Sequence, residues 1–90
     1  MTIKEIRNEL AKLEELEQIA DAAELEYDKF PMDEEKEQAF DEAYQKQYDC
    51  FMRISNAIVE LTNGQINIAT ARAIVSGKRD RLKAILSKTA

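Results

Sequence analysis

The sequence predicts an all-α fold, a long antiparallel helical hairpin with a shorter third helix packed on it, and three observations carry that expectation. Apolar residues recur every three or four positions over long stretches, which is the spacing of one helical face. The 90 residues hold two glycines and one proline, with Glu, Lys, Ala, Leu and Gln abundant, a helix-favouring composition. No run of Val, Ile, Thr or aromatic residues alternates with polar ones between turn residues, so strand signals are missing. A chain of this length makes one domain, 1–90, with only a modest core.

The first helix is expected over about 2–30. Ile3, Ile6, Leu10, Leu13, Leu16, Ala20, Ala23, Tyr27 and Phe30 step by three or four. Thr2 with Glu5 has the spacing of a capping box, in which hydroxyl and carboxylate satisfy orphan backbone donors. Pro31 stops the helix, because the residue before a proline avoids the α region. Asp33 reads as the N-cap of a second helix over about 33–63, with Glu34 and Glu35 at the positive end of its dipole. Phe40, Tyr44, Gln47, Phe51, Ile54, Ile58 and Leu61 step by 4, 3, 4, 3, 4 and 3, a heptad seam for the core or for self-association. Gln47 in mid-seam reads as a buried polar residue that sets register or oligomer state, with a ligand contact as the lesser alternative. Gly64 supplies the left-handed residue that ends this helix.

Asn67 caps a third helix over about 67–87, whose apolar face is Ile68, Ala71, Ile74, Val75, Leu82, Ile85 and Leu86. Gly77 costs roughly 1 kcal/mol inside a helix, and the expectation is that the helix continues through it. Ala69, Ala73 and Gly77 form a small-residue line on the opposite side. Short links make sequential helices antiparallel neighbours. A third helix of this length leaves part of the hairpin stripe uncovered, which predicts a homo-oligomer.

Charge is the most informative feature. Residues 1–49 hold 16 acidic and 6 basic side chains, net −10, and residues 50–90 hold 2 acidic and 7 basic, net +5. Glu14, Glu17, Asp21, Glu24 and Asp28 form a stripe on the first helix, and Glu34, Glu37 and Asp41 extend it around the hairpin tip. Such a stripe is most simply a solvated face. Its functional reading is a rod of carboxylates that docks on a basic protein surface. Arg72, Lys78, Arg79, Arg81 and Lys83 make the third helix basic. Arg72, Arg79 and Lys83 share one face, Arg81 lies to one side, and Lys78 falls within the apolar arc. Pairing with the acidic hairpin, of this chain or of a second copy, is the plain reading; phosphate or nucleotide contact and a protein partner are the others.

Several chemistries are disfavoured. There is no histidine, which removes the commonest general base and most zinc sites. No nucleophile elbow surrounds Ser55, Ser76 or Ser87. The acidic runs lack the glycine-centred loop of an EF-hand. The segment at Ser76-Gly77-Lys78 fails as a P-loop, because position 72 is Arg and position 79 is Arg. No catalytic residue, metal ligand or cofactor is therefore expected. The single Cys50 excludes an intramolecular disulfide and reads as a reduced, part-buried thiol. No signal peptide and no membrane span is expected, which points to the cytoplasm.

Three function classes follow. The leading one is a non-enzymatic interaction protein whose acidic hairpin engages a basic protein surface. By class-level analogy alone, small acidic helical inhibitors of nucleic-acid-processing machinery, of anti-CRISPR or anti-restriction type, are examples. The second is a self-associating assembly module. The third is a nucleic-acid or nucleotide binder using the basic face of the third helix.

Overall fold

The computed structural model describes residues 1–89, with side chains described through Ser87. Four helices, α1 (Ile3–Lys29), α2 (Glu34–Leu61), α3 (Ile68–Gly77) and α4 (Arg79–Thr89), account for nearly all of them, and no strand occurs among the described residues. The molecule measures 46 × 21 × 19 Å.

Each helix start is fixed by the residue that the local sequence supplies. Thr2 Oγ1 accepts from the Glu5 backbone N–H at 3.2 Å, and Glu5 Oε1 accepts from the Thr2 N–H at 3.0 Å, a complete capping box. The Thr2 backbone and side-chain bonds hold the Glu5 carboxyl below its ordinary pKa. Asp33 Oδ1 accepts from the Glu35 and Lys36 N–H groups at the head of α2. Asn67 Oδ1 accepts from Thr70 at 2.8 Å at the head of α3. At the foot of α2 the chain turns through two left-handed residues, Asn63 (φ 53°) and Gly64 (φ 80°), and the Gly64 N–H donates to the Val59 carbonyl at 2.9 Å.

The third helix is not continuous. It breaks at Gly77–Lys78 into α3 and α4, which fold back on each other. Nothing lies within 4 Å of where a Cβ on Gly77 would sit, so that glycine is not admitting a neighbour. Glycine holds a helix weakly, so a break there costs little. The break also settles a conflict in the pattern. A straight helix would carry Lys78 into the apolar arc, whereas the corner leaves it exposed. Asp80 then lies in the first turn of α4, where the dipole favours it. Arg79 Nε donates to the Val75 carbonyl at 3.0 Å, satisfying an orphan acceptor at the end of α3.

The result is a long hairpin carrying a short one. α1 and α2 pack most closely, α3 returns along α2, and α4 descends along α1. The core is one cluster of Ile6, Leu10, Leu13, Cys50, Ile54, Ala57, Ile58, Ala71, Val75, Leu82 and Leu86. All of it lies on the first half of α1, the second half of α2 and the short hairpin, so it fills the proximal half of the molecule. In the distal half the buried residues are Ala20 and Ala43. Small side chains there let the two long helices approach, and Tyr27 stacks on Phe40 with ring centroids 6.0 Å apart.

The seam expected on the second helix is displaced. Ile54 and Ile58 are buried, Phe40, Gln47 and Phe51 are half-buried, and Tyr44 and Leu61 are exposed. The packing line runs through Ala43, Cys50, Ile54 and Ala57 instead. The heptad spacing is right, but small residues face α1 and the rings are pushed to the flank. On the short hairpin Ala71, Val75, Leu82 and Leu86 are buried, Ile74 is half-buried, and Ile68 and Ile85 are exposed. Ala69, Ala73 and Gly77 are exposed, so the small-residue line packs on nothing among the described residues.

Candidate functional site

The charged residues divide at the level of Glu17. Below it, carboxylates of α1 meet bases of α4. Arg79 forks onto Glu17, with Nη2 3.0 Å from Oε2, and both side chains are mostly buried. The hydrogen bonds to Glu17 raise the Arg79 pKa further above its ordinary value, against the effect of burial. One turn along, Lys83 Nζ lies 2.6 Å from Glu14 Oε1. Two of the five bases are therefore engaged within the chain. Arg72 sits over the Phe51 ring, 6.0 Å from its centroid. Lys78 and Arg81 are exposed at the α3–α4 corner and have no ion-pair partner among the described residues. A phosphate-binding face would need these bases together and free, and the fold spends Arg79 and Lys83 on α1.

Above Glu17 the same edge of α1 has no helix on it. Asp21, Glu24 and Asp28 continue from Glu17 in steps of 4, 3 and 4, so they share the edge that Glu14 and Glu17 turn toward α4. All three are exposed and lack an ion-pair partner among the described residues. On α2 the facing edge is marked by Tyr44 and Tyr48. With Gln47 and Phe51 they wall a groove of about 270 Å³ closed at its lower end by Arg72, Ser76 and the Glu17–Arg79 pair. Glu37 lies seven residues before Tyr44, and Glu34 and Asp41 lie two and one heptads before Tyr48, so they stand on this edge too. Each is exposed, again with no ion-pair partner among the described residues.

Two groups of rings stand along that α2 edge and toward α1. Tyr27 stacks on Phe40, Phe40 meets Tyr44 at 6.2 Å, and Tyr48 meets Phe51 at 6.5 Å. Tyr44 is 53% and Tyr48 is 40% exposed. The expected acidic residues are thus brought together as two rails, while Glu14 and Glu17 are taken up by α4. Tyr48 was absent from the expected set. Its signal was the heptad Glu34, Asp41, Tyr48, which places an aromatic in line with two carboxylates. At the far tip Phe30 (52%) and Met32 (93%) are exposed, and Lys36 pairs with Glu26 at 3.4 Å.

A second polar cluster lies on the opposite flank. The buried Cys50 thiol donates to the Glu9 carbonyl at 3.5 Å and to Glu9 Oε2 at 3.4 Å, and Arg53 reaches the same oxygen at 3.3 Å. Burial opposes ionisation of Glu9, but the Cys50 and Arg53 hydrogen bonds outweigh it and hold its pKa low. Burial first, and then the Glu9 carboxylate, push the Cys50 pKa up. The thiol therefore stays protonated near neutral pH, and only the thiolate is nucleophilic. Iodoacetamide at pH 8 should label Cys50 at least a hundredfold more slowly in the folded protein than in urea. Equal rates would show that α1 and α2 separate readily at this level.

No group of three or more His, Cys, Asp and Glu side chains converges on a point that could hold a metal ion among the described residues. No described helix is long and apolar enough to cross a membrane. No protein-family model, curated protein or solved structure matches this chain.

Proposed function

We propose that this protein is a non-catalytic binding module that captures a basic protein surface in the uncovered distal half of its hairpin. The observation that carries the reading is the division at Glu17. Glu14 and Glu17 are neutralised by α4, and the distal carboxylates Asp21, Glu24, Asp28, Glu34, Glu37 and Asp41 stand beside exposed rings without an ion-pair partner among the described residues. Like charges held in one field repel, and an oppositely charged partner relieves that repulsion while being steered to the site. Basic grooves that hold nucleic-acid phosphates are surfaces of this kind, and nucleic-acid-processing machinery is our proposed class of target, with inhibitor or adaptor the class of action.

The test is capture from a lysate of the source cells at low and high salt by the wild type and by the combined variant Asp21→Lys, Glu24→Lys and Asp28→Lys. Glu17 is left alone because it anchors Arg79. Basic proteins should be retained at low salt, released at high salt, and lost by a factor of about 100 in the variant, since three reversals change the local charge by six. Retention unchanged by the triple reversal would remove the reading.

Self-association through the hairpin is a second reading, favoured by the exposure of Ile19 (53%) and Leu25 (62%) on α1. Sedimentation that shows a dimer would support it.

A further inference from the structure

We infer that the occupant of the distal slot is a single basic amphipathic helix, of about three turns, seated as an extension of the track that α4 follows on the hairpin. The inference rests on the binding function proposed above and names the shape of its partner. Its template is inside the molecule. α4 lies along α1 with Arg79 on Glu17 and Lys83 on Glu14, bases one turn apart meeting acids one turn apart. Leu82 and Leu86, on the neighbouring face of α4, are buried in the core. Beyond Glu17 the hairpin repeats this plan without a tenant. Asp21, Glu24 and Asp28 carry the acidic rail onward at helical spacing, and the rings of Phe40, Tyr44 and Tyr48 take the place of the apolar floor.

The dimensions agree. From Glu17 to Asp28 the rail runs about 16 Å at 1.5 Å per residue, roughly three turns. α3 and α4, which fill the proximal half, are 10 and 11 residues long. An extended basic peptide sets every second side chain on one face, about 6.6–6.8 Å apart, and cannot match the roughly 4.5–6 Å between successive carboxylates of the rail. A helix with Lys or Arg at i, i+4, i+7 and i+11 can, and its apolar flank would lie on Tyr44 and Tyr48 with bases free to sit over the rings. Arg72 over Phe51 shows that contact already made at the groove's lower end.

The probe is a helix-stabilised peptide of roughly 14 residues, because shorter isolated helices are marginal in water. It carries Lys at i, i+4, i+7 and i+11 and Leu along one neighbouring face. A second stabilised peptide has the same composition with its lysines distributed around the helix. Binding is read by anisotropy of labelled peptide to the full chain. The patterned peptide should bind at least tenfold more tightly than the scrambled one. The pair Tyr44→Ala and Tyr48→Ala should weaken it threefold or more, and Asp21→Lys with Glu24→Lys should weaken it by more than tenfold. Equal affinity of the two peptides, or indifference to the tyrosine pair, overturns the helical occupant and leaves the charge-based reading standing. Failure of both peptides, while the triple reversal still abolishes capture of basic proteins, also overturns it alone. Failure of both together with indifference of capture to the triple reversal removes both.

Discussion

Leu13→Ala is expected to lower stability by about 3 kcal/mol, within the range for emptying a buried leucine site. Leu13 is fully buried in the cluster that joins α1, α2 and the short hairpin. A chain of 90 residues has a total stability of roughly 5–13 kcal/mol, so the loss is a large fraction of the whole. Thermal unfolding should shift down by roughly 15 °C. The paired measurement is Leu25→Ala, twelve residues along the same helix. Leu25 is 62% exposed, and its truncation should change stability by under about 0.5 kcal/mol. The contrast states that the core is confined to the proximal half. If Leu25→Ala proves as costly as Leu13→Ala, something covers the distal hairpin in solution, and a second copy is the first candidate.

The sequence carried most of the fold because helical signals are local. Thr2, Asp33 and Asn67 act through hydrogen bonds to residues two or three positions away, so the caps could be read from adjacent letters. The two features that could not be read were non-local. Whether Gly77 bends or continues a helix depends on what the next segment packs against, and Arg79 finding both Val75 and Glu17 decides it. The displaced seam on α2 has the same origin. Tyr44 and Ala43 both belong to sensible helical lines, and the choice is made by how closely α1 approaches. Ala20 and Ala43 permit close approach, which turns the tyrosine outward. In the candidate site, the carboxylates were visible as a stripe. Their division into a neutralised and an uncompensated half was not, because it depends on where α4 stops.

Arg79 is the residue on which that division turns, and its removal should be the largest single effect outside the apolar core. Its guanidinium bonds the end of α3 through Val75 and bonds α1 through Glu17, while its own backbone opens α4. Arg79→Ala leaves the Glu17 carboxylate, mostly shielded from water, without its donor. Hydrogen bonds between charged groups contribute about 1.5–3 kcal/mol, so a loss of about 2 kcal/mol is expected. Glu17→Ala should cost somewhat less, since Arg79 keeps Val75. The double variant should cost less than the two singles together, by about 1 kcal/mol, the coupling characteristic of a paired site. Strict additivity in chemical denaturation would show that the pair does not hold the short hairpin down. The functional consequence is separable. With Arg79 gone, the rail of unpaired carboxylates lengthens by Glu17, and a basic helical peptide should bind the variant at least as tightly as the wild type. Weaker peptide binding in a variant that remains folded would mean that the α3–α4 corner is part of the binding surface and not merely its boundary.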